Sequence, residues 1–374
     1  MAYRARDIYK GHRKRRMWLI VPLTILLVAA ALFLFLFFYL QRYLVYDQSG
    51  VTLQIALLHP ENEQTEEVES AAVTASDEPI DVEIVYENTD FSVVDYGTHD
   101  DLAVTHSLFV PYESVTDLSA VSAAITQAVD GGYTGLVLQM KDRSGVLAWN
   151  SSCETAQAYA SGGTMDFTDI LAQIHESGLT AAAQISCCTD ALLTERNWTV
   201  TLKSADGSTW HDDDGVSWLD PYNHTVRGYV CELVEELSAM GFDEIILADI
   251  IHPVSDEGFT YTVTLQLEAD PVTAVCQLAQ QAVQAVPDES TTVVSALIDS
   301  GSLHNDLGSR TGQDLSVFWR LFARLYCPCE SGSTAADTET AWSYANGGTA
   351  AARFVPVVSS APESSSSYCV RAQG

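Results

Sequence analysis

The chain has 374 residues, 47% of them hydrophobic, and carries a formal charge of −32 at pH 7 from 50 acidic against 18 basic side chains. That balance excludes nucleic acid as a partner, because a strongly acidic surface repels a phosphate backbone. It contains no Gly-x-x-x-x-Gly-Lys loop, Gly-x-Ser-x-Gly elbow or His-Glu-x-x-His pair, which argues against nucleotide hydrolysis, serine esterase chemistry and zinc proteolysis.

The first 16 residues form a basic segment: Arg4, Arg6, Lys10, Arg13, Lys14, Arg15 and Arg16 stand against one acid, Asp7. From Met17 to Leu40 the chain runs without an ionisable side chain. A helix of that length extends about 36 Å, enough to cross a hydrocarbon core about 30 Å thick. The run is longer than a cleaved signal's apolar region and continues past the Ala29–Ala31 cluster through Phe35 to Leu40. It is expected to be an uncleaved anchor in the lipid bilayer. Basic residues before a span stay on the cytoplasmic side, so the chain after Leu40 is expected outside. That part carries a balance of −38.

Residues 41–104 are expected to form an acidic extracytoplasmic stalk, rich in Glu, Asp, Ser and Thr. Within it, Val51–Leu58 reads as a short strand or a membrane-proximal helix.

Residues 105–374 alternate β-rich runs with helix-length segments, the pattern of a parallel sheet. The strand candidates are 106–112, 135–142, 179–188, 244–253, 291–300, 322–328, 352–359 and 367–372, several apolar at successive positions as doubly covered strands should be. Helices are expected over 118–130, 167–177, 221–240, 271–286 and 312–322. For the third of these, Asp220 is the expected N-cap, Pro221 the first turn and Gly241 the stop. Eight strands in this length predict an α/β fold, a (β/α)8 TIM-type barrel, with any site at the strand ends and the loops after them.

All eight cysteines follow the span. An oxidising exterior permits disulfides, but their spacings match no familiar framework, and neither Cys187–Cys188 nor Cys327-Pro-Cys329 is the Cys-x-x-Cys pair of a structural zinc site. They read as small buried hydrophobes in barrel strands. His211-Asp212-Asp213-Asp214-Gly215 lacks the alternation of a calcium loop and reads as a solvated tip. No metal and no cofactor is expected.

Three segments carry a resemblance: GLVLQMKDRSGVLAW at 135–149, LTAAAQISCC at 179–188, and WLDPYNHTVRGYVCELVEELSAMGFDEIILADIIHP at 218–253. The domain resembles a bacterial family of glycoside hydrolase-like (β/α)8 barrels of unassigned function, often membrane-anchored. The resemblance implies carbohydrate, as polysaccharide or cell-envelope glycan, as the partner. It also exposes departures. The family's acid on the second strand falls on Gln139, an arginine on the third on Gln184, and an acid and arginine on the fourth on Ala248 and Ile251. An acid on the fifth falls on Leu297.

Glycoside hydrolysis typically needs two carboxyl groups flanking the bond. The expected catalytic pair is Asp142 with Asp249, although strand parity sends Asp249 away from the barrel if Ala248 points in, unless a strand bulge re-aims it. The same parity sends Ile250 and His252 inward. Substrate contacts are expected from Lys141, Gln184, Trp218, Tyr222 and His252. The alternative is a barrel that has lost catalysis and binds envelope glycan or a protein partner.

Overall fold

The structure is a computed structural model. It describes the strands within 44–53, residue 99 and, from 101 to 371, all residues except 160, 255–258, 260–269, 305–307, 331–336, 338–339, 342–349 and 365. The chain divides into two compact units, residues 1–83 and 84–374. In the first, β1 (Leu44–Asp47) and β2 (Gly50–Leu53) pair antiparallel with Leu44 opposite Leu53, so the start of the Val51–Leu58 run is strand. The expected span Met17–Leu40 and most of the stalk lie outside the described residues. Among the described residues no helix is long and apolar enough to cross a membrane.

The second unit is a closed, all-parallel eight-stranded barrel. Its strands are β3 (His106–Val110), β4 (Gly135–Lys141), β5 (Thr180–Ser186), β6 (Glu244–Ala248), β7 (Val293–Leu297), β8 (Leu325–Pro328), β9 (Phe354–Val358) and β10 (Tyr368–Val370). They follow one another round the wall, and β10 closes on β3. Each lies within a run expected from the sequence. Most expected runs overshoot at the C-terminal end, where the chain turns into the mouth of the barrel.

Alternate strand residues face opposite sides, and the apolar side chains accordingly form two cores. Phe109, Val137, Ala182, Ile246, Tyr326, Val355 and Cys369 fill the barrel interior. Their neighbours Leu108, Leu136, Ala181, Ile245 and Phe354 join a larger layer beneath the helices. A buried ion pair, Glu244 Oε2 to Arg324 at 3.0 Å, sits among inward-facing residues, with Ser295 donating to Glu244 Oε1 at 2.5 Å.

The helix Leu118–Asp130 shows why the outer layer forms. Asp117 caps it by accepting from Ser119 N at 2.9 Å, and Val121, Ile125 and Ala128 lie on one buried stripe. Burying an aliphatic side chain of this kind contributes about 1.5–3 kcal/mol. The helix His224–Met240 starts later than expected. Asn223, not Asp220, is its cap, accepting from Thr225 N at 2.9 Å, and Pro221 lies in the turn before it. Asp220 is fully buried and accepts from Tyr222 N within that turn. Gly241 ends the helix with a left-handed φ of 97°.

All eight cysteines are free thiols, and six are buried. Only Cys327 and Cys369 lie in strands; Cys231 and Cys276 are in helices, Cys153 starts one, and Cys187, Cys188 and Cys329 directly follow the ends of β5 and β8.

Candidate functional site: a three-lobed groove at the barrel mouth

The C-terminal ends of the strands carry three adjoining clefts of about 660, 430 and 440 Å³. Leu297, at the end of β7, lines all three. The position where an acid was expected by resemblance is thus an apolar hub where three lobes meet. The largest lobe extends over β8–β10, the middle one over β4–β6, and the third beneath the loop after β6.

A bulge decides the fate of Lys141. The register between β4 and β5 slips between Gln139 and Lys141, where Gln139 pairs with Gln184 and Lys141 with Ile185. Gln139 lines the middle lobe, and its Oε1 accepts from Tyr112 N at 3.2 Å. The Lys141 side chain is fully buried, with Nζ 3.1 Å from Asp190 Oδ2 and donating to Ser186 O at 2.8 Å. Lys141 therefore pairs with neither Asp142 nor Asp249, and its buried side chain is taken up in the wall of the groove. Gly145 is required beside this pair: its φ is +87°, and a Cβ there would lie 1.9 Å from Asp190 Oδ1.

Asp249 follows β6 directly, and it is the one described non-glycine residue with positive φ, 50°. That left-handed turn, not a strand bulge, carries the Asp249 side chain to the middle and third lobes while Ala248 lines the middle one. Ile250 instead joins the core beneath the helices, against the parity argument. Arg143 holds the Asp249 carboxylate with both ends of its guanidinium, at 2.5 Å to Oδ1 and 3.2 Å to Oδ2. Ser186 and Thr189 hydroxyls donate to Oδ2 at 2.7 and 3.0 Å. Burial alone would raise its pKa, but the hydrogen bonds and charge of Arg143, with the two hydroxyls, outweigh it and hold the carboxyl below its usual range. Asp249 is ionised at neutral pH.

Asp142 lines the same lobe as Asp249. Its Oδ1 accepts from Ser144 N at 2.8 Å and Ser144 Oγ at 2.5 Å, the contacts of a turn residue. Gln184 faces into the barrel two residues after Ala182 and lines both the large and the middle lobes.

Trp218 and His252 line the third lobe. The Trp218 indole N–H donates to Asp212 Oδ2 at 2.9 Å, and Asp212 Oδ1 accepts from Val216 N at 2.8 Å, so the acidic run at 212–214 is part of a tight turn. His252 stacks on Phe259 with ring centres 5.1 Å apart. Burial drives its pKa down to about 4, with Asp270 opposing, so the imidazole is neutral at physiological pH. Tyr222 is not among the residues lining these lobes. Its hydroxyl donates to Asp270 O at 2.8 Å and accepts from Asp270 N at 3.1 Å, which staples the turn at 220–223 to the helix Pro271–Gln284. Of the two aromatic contacts expected, Trp218 and Tyr222, Trp218 is the one that lines these lobes.

Sequence reasoning passed over Arg143, Ser186 and Thr189, which surround Asp249. It also passed over Glu236, on the outer helix. Its carboxylate accepts from Trp149 Nε1 at 2.9 Å, Ser151 Oγ at 2.6 Å and Ser152 N at 2.5 Å, which fastens the loop after β4. Arg143 adjoins the Lys141-Asp142 pair that carried the resemblance, and this was the available signal. Among the described residues no group of three or more His, Cys, Asp or Glu is arranged to hold a metal ion.

Among solved structures, a hypothetical protein from Ruminiclostridium thermocellum is similar at 20% identity and a TM-score of 0.45, over 50% of this chain and 96% of that one. A family 20 β-N-acetylhexosaminidase from Streptomyces coelicolor is similar at 13% identity and a TM-score of 0.43, over 70% of this chain and 49% of its own. An α-galactosidase from Lactobacillus brevis is similar at 14% identity and a TM-score of 0.45, over 71% of this chain and 34% of its own. The chain thus spans half or less of the length of these two enzymes. No curated protein matches. A family profile described as "Putative glycosyl hydrolase domain" matches residues 107–319, more than half of the chain, and the chain belongs to that family.

Proposed function

We propose that the chain is a membrane-anchored, outward-facing glycoside hydrolase-like barrel that binds a glycan in the groove at its mouth, with recognition ahead of cleavage. The observation that carries this reading is the state of Asp249. Its two oxygens are taken up by four donors, from Arg143, Ser186 and Thr189. A carboxylate held so firmly is a weak nucleophile and a weak base. The strand-top positions that would supply a partner acid are Gln139, Ala248 and Leu297, all lining the middle lobe. What remains suits recognition: amide side chains, an aromatic ring and apolar patches around a long depression. The anchor rests on the sequence, from the apolar run Met17–Leu40 behind its basic flank.

A second reading, hydrolysis, is favoured by one observation: Asp142 and Asp249 line the same lobe. Ionised Asp249 would then serve as nucleophile or base and Asp142 as proton donor. The full-length chain, solubilised in detergent and offered a broad glycan panel, separates the two readings through retention and reducing-end release. Retention without release is the expected result. Release that disappears in Asp142→Asn and Asp249→Asn would establish hydrolysis instead. Neither signal would overturn the carbohydrate reading and leave a scaffold for protein partners.

A further inference from the structure

Gln184 is 7% exposed and faces the junction of the large and middle lobes. Its amide has no hydrogen-bond partner among the described residues. A buried amide without a partner costs free energy unless something supplies one. Here the open side is the groove. Gln184 therefore offers a carbonyl acceptor and an NH₂ donor to an incoming ligand, next to Gln139, whose NH₂ remains available once its Oε1 has accepted from Tyr112.

The charges around these amides are unbalanced. Lys141 is neutralised by Asp190 and Arg143 by Asp249. Glu113 and Asp142 line the middle lobe, and Asp212 and Asp299 the third, and none of the four is in an ion pair among the described residues. Facing them is Arg371, whose guanidinium lies over the Phe109 ring at 4.4 Å. With Lys141 and Arg143 each balanced by its partner, the middle lobe keeps two carboxylates against the one guanidinium of Arg371, and an excess of one sign concentrates ligands of the other.

We propose that this groove takes a glycan bearing protonated amino sugars, with Gln184 reading the sugar at the floor and Glu113 and Asp142 receiving its ammonium groups. The proposal rests on the carbohydrate reading above and adds to it the charge class of the ligand. A ring hydroxyl or amine satisfies the Gln184 amide, and each ammonium exchanges water for a charge-assisted hydrogen bond. Neutral hexoses would leave the carboxylates without partners, and uronates would be repelled by them.

The test uses the full-length chain in detergent and four probes of equal length: oligomers of glucosamine, of N-acetylglucosamine, of glucose and of a uronic acid. Binding is measured in mildly acidic buffer, where amines are protonated and most carboxylates ionised. The glucosamine oligomer is expected to bind at least about tenfold more tightly than the other three. Raised salt should erode that preference. The double variant Glu113→Gln, Asp142→Asn should abolish the preference, and Gln184→Leu should weaken whatever oligomer is bound by about tenfold. Equal binding of glucosamine and neutral oligomers, or a preference for the uronate, would overturn the proposal and leave the carbohydrate reading standing. Binding of none of the four, nor of any other glycan, would overturn both.

Discussion

Lys141 Nζ stands 3.1 Å from Asp190 Oδ2 with neither side chain exposed, and Asp190 Oδ1 at the same time accepts from Leu193 N at 2.7 Å. One buried pair thus ties the end of β4 to the helix Ala191–Arg196 that follows β5. Removing two charges from water costs several kcal/mol per ion, and the cost is offset only while both partners are present. Lys141→Met, which leaves Asp190 buried without its counter-charge, is expected to destabilise the chain by about 3–5 kcal/mol. Adding Asp190→Asn should recover much of that loss, because the asparagine still accepts from Leu193 N while carrying no charge. Denaturant unfolding of the single and double variants checks this. A single-variant cost under about 1 kcal/mol would show that the pair does not hold the wall.

The clamp on Asp249 predicts a pH dependence with a definite sign. Arg143, Ser186 and Thr189 overcome the effect of burial and depress its pKa in the folded chain below the ordinary value of 3.8. The stability this contributes is fully present above the unfolded value and disappears as pH falls through the depressed folded one. Asp249→Asn should therefore be less stable than the parent at neutral pH, and the two curves should converge in strong acid. Parallel curves throughout would mean that the carboxylate charge contributes nothing. The variant also leaves Arg143, whose side chain is 59% exposed, without its partner, so the loop after β4 should become easier to cleave with protease.

Eight strands were legible because parallel strands covered on both faces write themselves as continuous apolar runs, as Leu136, Val137 and Leu138 do. The helix Leu118–Asp130 was legible in full, since its stripe of Val121, Ile125 and Ala128 follows the helical period. The site was less so. Whether Lys141 faces the groove depends on one slipped residue between Gln139 and Lys141, and where Asp249 points depends on a single left-handed backbone angle. Neither event changes composition or periodicity. Partners at separations such as Lys141 with Asp190, or Arg143 with Asp249, arise only once the barrel brings successive strand ends together. Tyr222 misled for a related reason: an aromatic beside a strand end reads as a sugar wall until its hydroxyl is seen bonded to Asp270.

Glu236 gathers the loop after β4 onto the helix His224–Met240. Burial pulls its pKa up, yet the hydrogen bonds from Ser151, Ser152 and Trp149 prevail and lower it, so the ionised form is the one the loop grips. Glu236→Ala removes the acceptor from the Trp149 indole, two serine hydroxyls and the Ser152 amide. Because part of the carboxylate is reached by solvent, the expected cost is about 2 kcal/mol, below the sum of charged hydrogen bonds. The diagnostic readout is local: amide hydrogen exchange should accelerate in 147–153 and leave β6 and β7 protected. Uniform acceleration across the barrel would show that Glu236 supports the whole fold.

His252 supplies a second pH window, lying mostly above the one set by Asp249. Its imidazole is 1% exposed and stacks on Phe259, and burial pushes its pKa to about 4 against an unfolded value of 6.5. Between those values the unfolded chain takes up a proton that the folded chain refuses. Stability should therefore be lost as pH falls from about 6.5 to about 4 and level off below, by about 3 kcal/mol at most. The Asp249 loss starts near the lower end of that range and continues below it, so the two effects form an upper and a lower limb that meet near the foot of the His252 window. His252→Phe keeps a ring against Phe259 and cannot titrate, and it should flatten the upper limb while leaving the lower one in place. An upper limb that survives in His252→Phe would assign the proton uptake to another group, and an imidazole that titrates near 6.5 in the folded chain by NMR would remove the limb's cause.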